Sequence, residues 1–142
     1  MASSTTNSST RTTTSHSEII QINATTHLPL KLNSNNFPSW HLQFDTFLTG
    51  LDLIGYVNGT YPCPAPTIII RETVTSNPAY LKWIRQDKLI LHAIITSLTE
   101  SVISLIATSK SSQEAMTKLT NLFASITRSR VMSLKKKLTL ST

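Results

Sequence analysis

The chain predicts an all-α fold: a small bundle of about five helices with a disordered N-terminal tail and one Pro-rich loop. Three observations carry that expectation. Apolar residues recur at steps of three and four along most of the chain after residue 36, the spacing that lays one greasy face on a helix. Capping residues and prolines stand at the starts of those stretches. Only three glycines, Gly50, Gly55 and Gly59, punctuate them.

The Ser/Thr-rich stretch 1–26 opens Met1-Ala-Ser-Ser-Thr-Thr-Asn-Ser-Ser-Thr10. It carries too little apolar surface to offset its ordering entropy, so a disordered tail is expected there and a helical domain over 27–142. Leu28, Leu30 and Leu32 alternate with Pro29 and Lys31, as in a short extended segment that lies on the domain. Asn35 or Asn36 then caps a helix over 38–50, with Pro38 in its first turn. Its apolar face is Phe37, Trp40, Phe44, Phe47, Leu48 and Leu51. A shorter helical turn through Leu53, Ile54, Tyr56 and Val57 ends at the turn dipeptide Asn58-Gly59. Four of the six prolines, Pro62, Pro64, Pro66 and Pro78, fall in 58–78, which reads as an exposed loop. Thr67-Ile-Ile-Ile70 looks strand-like but stands alone, so no sheet is expected.

Asn77 caps and Pro78 opens what reads as the longest helix, to about Ser97, with Tyr80, Trp83, Ile84, Leu91, Ile94, Ile95 and Leu98 as its apolar face. Asp87 is expected at the exposed edge of that face. Ser97-Leu-Thr-Glu100 and Ser111-Ser-Gln-Glu114 both read as capping boxes. The first precedes Val102, Ile103, Leu105 and Ile106; the second precedes Ala115, Met116, Leu119, Leu122, Phe123 and Ile126. A separate last helix is expected over 128–140, carrying Val131, Leu134 and Leu138.

Function classes fall away one by one. No Gly-x-Ser-x-Gly, phosphate-cradling glycine loop or His-Glu-x-x-His occurs. The histidines, His16, His27, His41 and His92, are scattered. Asp45 and Asp52 are two helical turns apart, with nothing nearby to perturb them as an acid–base pair. The lone Cys63 permits neither an internal disulfide nor a cysteine zinc site, and is expected to pack as a small apolar group. No enzyme activity, cofactor, metal or small-molecule substrate is expected. No apolar run spans a bilayer and no secretory core precedes the domain, so the expectation is a cytoplasmic protein with no membrane partner.

Charge points elsewhere. Thirteen basic residues against seven acidic give a net charge of +6, which favours anionic partners. No acid follows Glu114, while Arg128, Arg130, Lys135, Lys136 and Lys137 cluster near the end. On a helix Arg128 and Lys135 share one line, and Arg130 and Lys137 another. Such a stripe is enough for phosphate contacts. With no aromatic after Phe123, base stacking is not expected.

Several phrases, in order, resemble the start of the Gag polyprotein of copia-type LTR retrotransposons, the plant ones especially. Leu32-Asn-Ser-Asn-Asn-Phe37-Pro-Ser-Trp40, then Phe44, match its Leu-Asn-x-x-Asn-Phe/Tyr-x-x-Trp opening. Leu53-Ile-Gly55-Tyr56-Val57-Asn-Gly59-Thr60 and the Pro-rich loop follow, then Tyr80-x-x-Trp83-x-x-x-Asp87. The Ser111–Phe123 and Ser129–Leu138 stretches continue the match, which covers 28–142. Met116 departs from the tryptophan frequent before the x-x-Leu119 of that family. The resemblance implies a capsid-like helical domain, truncated at its C-terminus, with Phe37, Trp40, Phe44, Gly55, Tyr56, Gly59, Trp83, Asp87 and Leu119 as motif core. It implies a structural module that associates with itself into particles around RNA. The zinc knuckle and protease signatures of such polyproteins are not in this stretch. The competing expectation is a small basic helical nucleic-acid-binding module, with its last two helices as a helix-turn-helix.

Overall fold

A computed structural model describes residues 18–140. Six helices and one hairpin follow in order: α1 (Ala24–His27), α2 (Phe37–Gly50), α3 (Ile54–Asn58), β1 (Thr67–Ile70), β2 (Thr73–Ser76), α4 (Pro78–Thr96), α5 (Glu100–Ile106) and α6 (Ser112–Leu140). The fold is mostly helical, as expected, but not purely so.

The core lies where α2, α4 and α6 meet. Trp40, Phe44 and Leu48 point inward from α2 at successive four-residue steps. Ile90, Leu91, Ala93 and Ile94 face them from α4, and Ala115, Met116, Leu119 and Phe123 from α6. Met116 is buried, so a flexible thioether fills the place of the expected aromatic. Val102 and Ile106 of α5 close one end, while Leu105 turns outward.

The N-terminal segment is clipped to the bend between α4 and α5. Leu32 donates its N–H to Ser97 O at 2.8 Å and its carbonyl accepts Thr99 N–H at 3.0 Å, a parallel bridge to Leu98. Leu28 and Leu32 are buried and Leu30 is exposed, so strict alternation gives way to the bend at 30. Of the tail expected over 1–26, residues 1–17 lie outside those described. The remainder is corrected: Asn23 caps α1 by accepting from Thr26 N–H, and Gln86 pairs with both N–H and C=O of Ile20 at 2.8 and 3.0 Å.

Local signals placed several ends correctly. Asn77 accepts from Ala79 N–H ahead of Pro78, and Ser111 Oγ accepts from Glu114 N–H at 3.1 Å. The carboxylate of Glu114 reaches one residue past the expected donor, to Lys110 N–H. Asn36 sits at the start of α2 but spends its side chain on Asn33 N–H instead. The Ser97 box is a correction. Ser97 ends α4, Thr99 precedes α5, and the Thr99 hydroxyl donates to Leu32 O. Ser97 is drawn instead to the indole of Trp40, whose Nε1–H donates to Ser97 Oγ at 3.1 Å.

Three further expectations are overturned. The last two predicted helices form one 29-residue helix, the longest of the chain, because no proline or glycine breaks 112–140. Thr67–Ile70 does have a partner: it pairs antiparallel with Thr73–Ser76, Ile69 opposite Val74. The two-residue turn puts Arg71 and Glu72 at φ of 50° and 65°, left-handed backbone that ordinarily takes Gly or Asn. Cys63, expected to pack, is exposed.

Removing the Trp40 acceptor tests the knot at the end of α4. Ser97→Ala leaves the fully buried indole N–H without a partner, which costs about 2 kcal/mol. A lowered urea midpoint at unchanged slope is the expected result.

Candidate assembly and nucleic-acid surfaces

The nine motif residues fall into two packed clusters. The first centres on α2. Phe37 stacks on Phe123 with ring centroids 4.9 Å apart and planes 4° off parallel. Trp40 stacks on Phe44 at 5.3 Å, and both are buried together with Leu119. The four-residue spacing of Trp40 and Phe44 puts the rings one turn apart on the same helix face.

The second cluster joins α3, the Pro-rich loop, α4 and α6. Gly55 lies under the Tyr61 ring: a Cβ there would sit 2.4 Å from Tyr61 Cδ2. Gly59, at φ 85°, ends α3 in left-handed backbone and abuts Gln113 of α6. Tyr61 is held at both ends, its hydroxyl donating to Asp52 Oδ1 at 2.9 Å and its carbonyl accepting Trp83 Nε1–H at 2.9 Å. Tyr56 fills the angle between Tyr61 and Trp83. Trp83 is half-buried, less enclosed than Trp40.

Asp87, one turn beyond Trp83, is 1 % exposed. That corrects the edge position expected for it. Its Oδ1 accepts the N–H of Ser112 at 3.2 Å and the hydroxyl of Ser112 at 2.5 Å. The carboxylate thus sits at the N-terminus of α6, where the unpaired amides and the helix dipole favour negative charge. The Trp83-x-x-x-Asp87 spacing places a ring against α3 and an anion against α6 from one helix.

The charged groups fit structural roles. Burial, then the Asp87 carboxylate, raises the Tyr56 phenol above its ordinary range. The hydrogen bond to Asp52, then the charge of Asp52, raises that of Tyr61. The Lys110 amide, then Lys118, lowers Glu114. Among the described residues no group of three or more His, Cys, Asp or Glu is placed to hold a metal ion, and no helix is long and apolar enough to cross a membrane.

The basic residues lie apart, on the second half of α6, where 127–139 are all exposed. Arg130 bends back to the body: its Nη2 donates to Ser34 O at 2.9 Å and Asn35 Oδ1 at 2.6 Å. Arg128 edges a groove of about 480 Å³ lined also by Phe37, Thr120, Phe123, Ala124 and Thr127. Lys135, Lys136 and Lys137 stand further out in solvent. The five cations are therefore not brought to one patch; they ring a single helix. The helix-turn-helix reading takes 107–111 as its turn, and α5 and α6, the last two helices among the described residues, are joined by that short link.

Sequence reasoning pointed to the motif residues and missed their partners. Nothing local marked the roles of Tyr61 and Ser112, and the local signal at Ser97 pointed to a cap, since each of the three matters through a residue far along the chain.

Two consequences are measurable. Asp87→Ala strips the buried Ser112 N–H and hydroxyl of their acceptor, at a cost of about 3 kcal/mol; hydrogen exchange at the first turn of α6 accelerates, whereas Asp87→Asn keeps an acceptor and loses less. The raised Tyr56 and Tyr61 phenols mean the folded chain holds protons that the unfolded chain releases first. Stability therefore falls as pH rises past the ordinary tyrosine value toward the raised ones. Alkaline unfolding followed by tyrosinate absorbance checks it, and Asp52→Asn shifts the onset of Tyr61 ionisation downward.

No family model matches the chain, and no solved structure matches it. The chain is 39 % identical over 72 residues, 51 % of its length, to the Retrovirus-related Pol polyprotein from transposon RE2 of Arabidopsis thaliana. It is 33 % identical over 93 residues, 61 % of its length, to that from transposon RE1 of the same plant. It spans only 5 % and 6 % of those polyproteins. This likeness supports a retrotransposon origin for the chain.

Proposed function

We propose that the chain is a non-enzymatic structural module of a copia-type, Gag-like retrotransposon protein, one that associates with copies of itself into capsid-like particles and contacts RNA without choosing sequence. One observation carries the reading. The motif residues go into packing, capping and turn geometry, from the Phe37–Phe123 stack to the Asp87 cap on α6, and none is gathered with other polar groups around a cavity in the manner of a catalytic site. What is left on the surface is contact material: Leu42, Ile69, Val74, Leu81 and Leu105 are all more than half exposed. Particle assembly takes many such weak contacts rather than one strong one. RNA contact is assigned to the exposed Lys135, Lys136 and Lys137. The place of action is the cytoplasm.

A second reading, a small basic helical module whose main task is nucleic-acid binding, is favoured by those same lysines alone.

Sedimentation velocity of the 142-residue chain across a concentration series separates the two. Reversible association that grows with concentration, without RNA, is expected; a strict monomer at the highest concentration sinks the assembly reading. Joint Lys135→Gln, Lys136→Gln and Lys137→Gln substitution weakens RNA retention and flattens its log–log salt slope by about two, leaving self-association unchanged.

A further inference from the structure

The second half of α6 carries more than charge. Thr120, Ala124, Thr127, Val131, Leu134 and Leu138 follow one another at steps of four, three, four, three and four. That is the a/d repeat of a coiled-coil seam over nearly three heptads, with Val131 and Leu138 at a and Leu134 at d. All six are exposed; Val131, Leu134 and Leu138 are 45, 60 and 69 % so. Thr127 donates its hydroxyl to Phe123 O within its own helix, which leaves its methyl group for a neighbour. The first three seam residues line the Phe37–Phe123 groove, so the seam runs without a break from the domain body to the outer part of the helix. Their small side chains admit a close approach.

The seam's flanks decide what fits it. The e positions nearest Val131 and Leu134 are Arg128 and Lys135, and the g positions are Arg130 and Lys137. Every flanking site in that half is a cation. A second copy of α6 is therefore the wrong occupant: in parallel pairing Arg130 meets Lys135 of the other helix, and antiparallel pairing sets e against e and g against g, again like charges. Nor does another helix among the described residues offer the complement, since none of them carries more than one acid. RNA phosphates answer the cations but have no use for the apolar line between them.

We propose that this face of α6 is a docking surface for an amphipathic helix of a different protein, with aliphatic residues along its seam and Glu or Asp on both flanks. The apolar seam supplies the affinity, and the four cations select an acidic partner and reject a second copy. Lys136 points away from the seam and takes no part.

The probe is a synthetic helix of four heptads with Val at a, Leu at d and Glu at every e and g, titrated by fluorescence anisotropy into the whole chain at about 0.15 M salt. Saturable binding is expected, weakened about tenfold by joint Leu134→Gln and Leu138→Gln, and weakened with a reduced salt dependence by joint Arg128→Gln and Lys135→Gln. These exposed positions lie outside the core, and the circular-dichroism melt of each variant is read alongside. No binding of the acidic helix overturns the proposal. So does binding that ignores Leu134 and Leu138, or that is matched by a Glu-rich peptide lacking the seam, since charge alone would then account for it.

Discussion

A buried carboxylate at the start of a helix holds this fold in register. Asp87 lies on the core face of α4 and accepts both donors of Ser112. Withdrawing a carboxylate from water is expensive unless hydrogen bonds and a favourable field meet it. The first turn of α6 provides both. The arrangement fixes where α6 begins against α4 and, through rigid helix geometry, where everything on α6 falls. Gln113 arrives against Gly59, Leu119 enters the core, and Phe123 reaches the Phe37 ring. A shift by one residue would rotate each of these by about 100°.

A second polar link works at the far end of α4. The Trp40 indole, the Ser97 hydroxyl and Ile94 O form a short chain of hydrogen bonds, the hydroxyl passing one on at 2.8 Å. Leu32 pairs with the same bend through its backbone. Two sequence phrases far apart thus meet through α4: Trp40 bonds to Ser97 at its C-terminal end, and Asp87, at its middle, holds the start of α6. Their residues read as recognition motifs in the sequence and act as fasteners in the structure.

What was legible follows the range of each interaction. The starts of α2 and α4 and the Ser111 cap were readable because a first-turn proline at α2, a proline with the Asn77 cap at α4, and the Ser111 hydroxyl settle them within one turn. The Ser97 box failed because a tertiary partner, Trp40, outbid the local pattern. The hairpin was missed because its return strand holds one strong apolar residue, Val74, and its turn lacks glycine. The continuity of α6 was missed because the residues turn from apolar to basic near 127 while the backbone has no cause to stop. At the candidate surfaces the motif positions were visible, but Asp87 looked like an edge residue until Ser112, twenty-five positions on, was seen beside it. The cations were read as two helical lines, Arg128 with Lys135 and Arg130 with Lys137; both lie on α6, and what the sequence hid is that Arg130 bends back to Ser34 and Asn35.

The hairpin has a wider consequence. Thr67-Ile-Ile-Ile70 is uncharged, β-prone and open along its outer edge, the makings of runaway strand stacking between molecules. It is bracketed on one side by Pro62, Pro64 and Pro66, which cannot extend a ladder, and on the other by Arg71 and Glu72. The two charged residues are poor turn formers and good gatekeepers. Their strained backbone is the local cost of keeping a sticky segment short enough that crowded neighbours do not fuse into fibres.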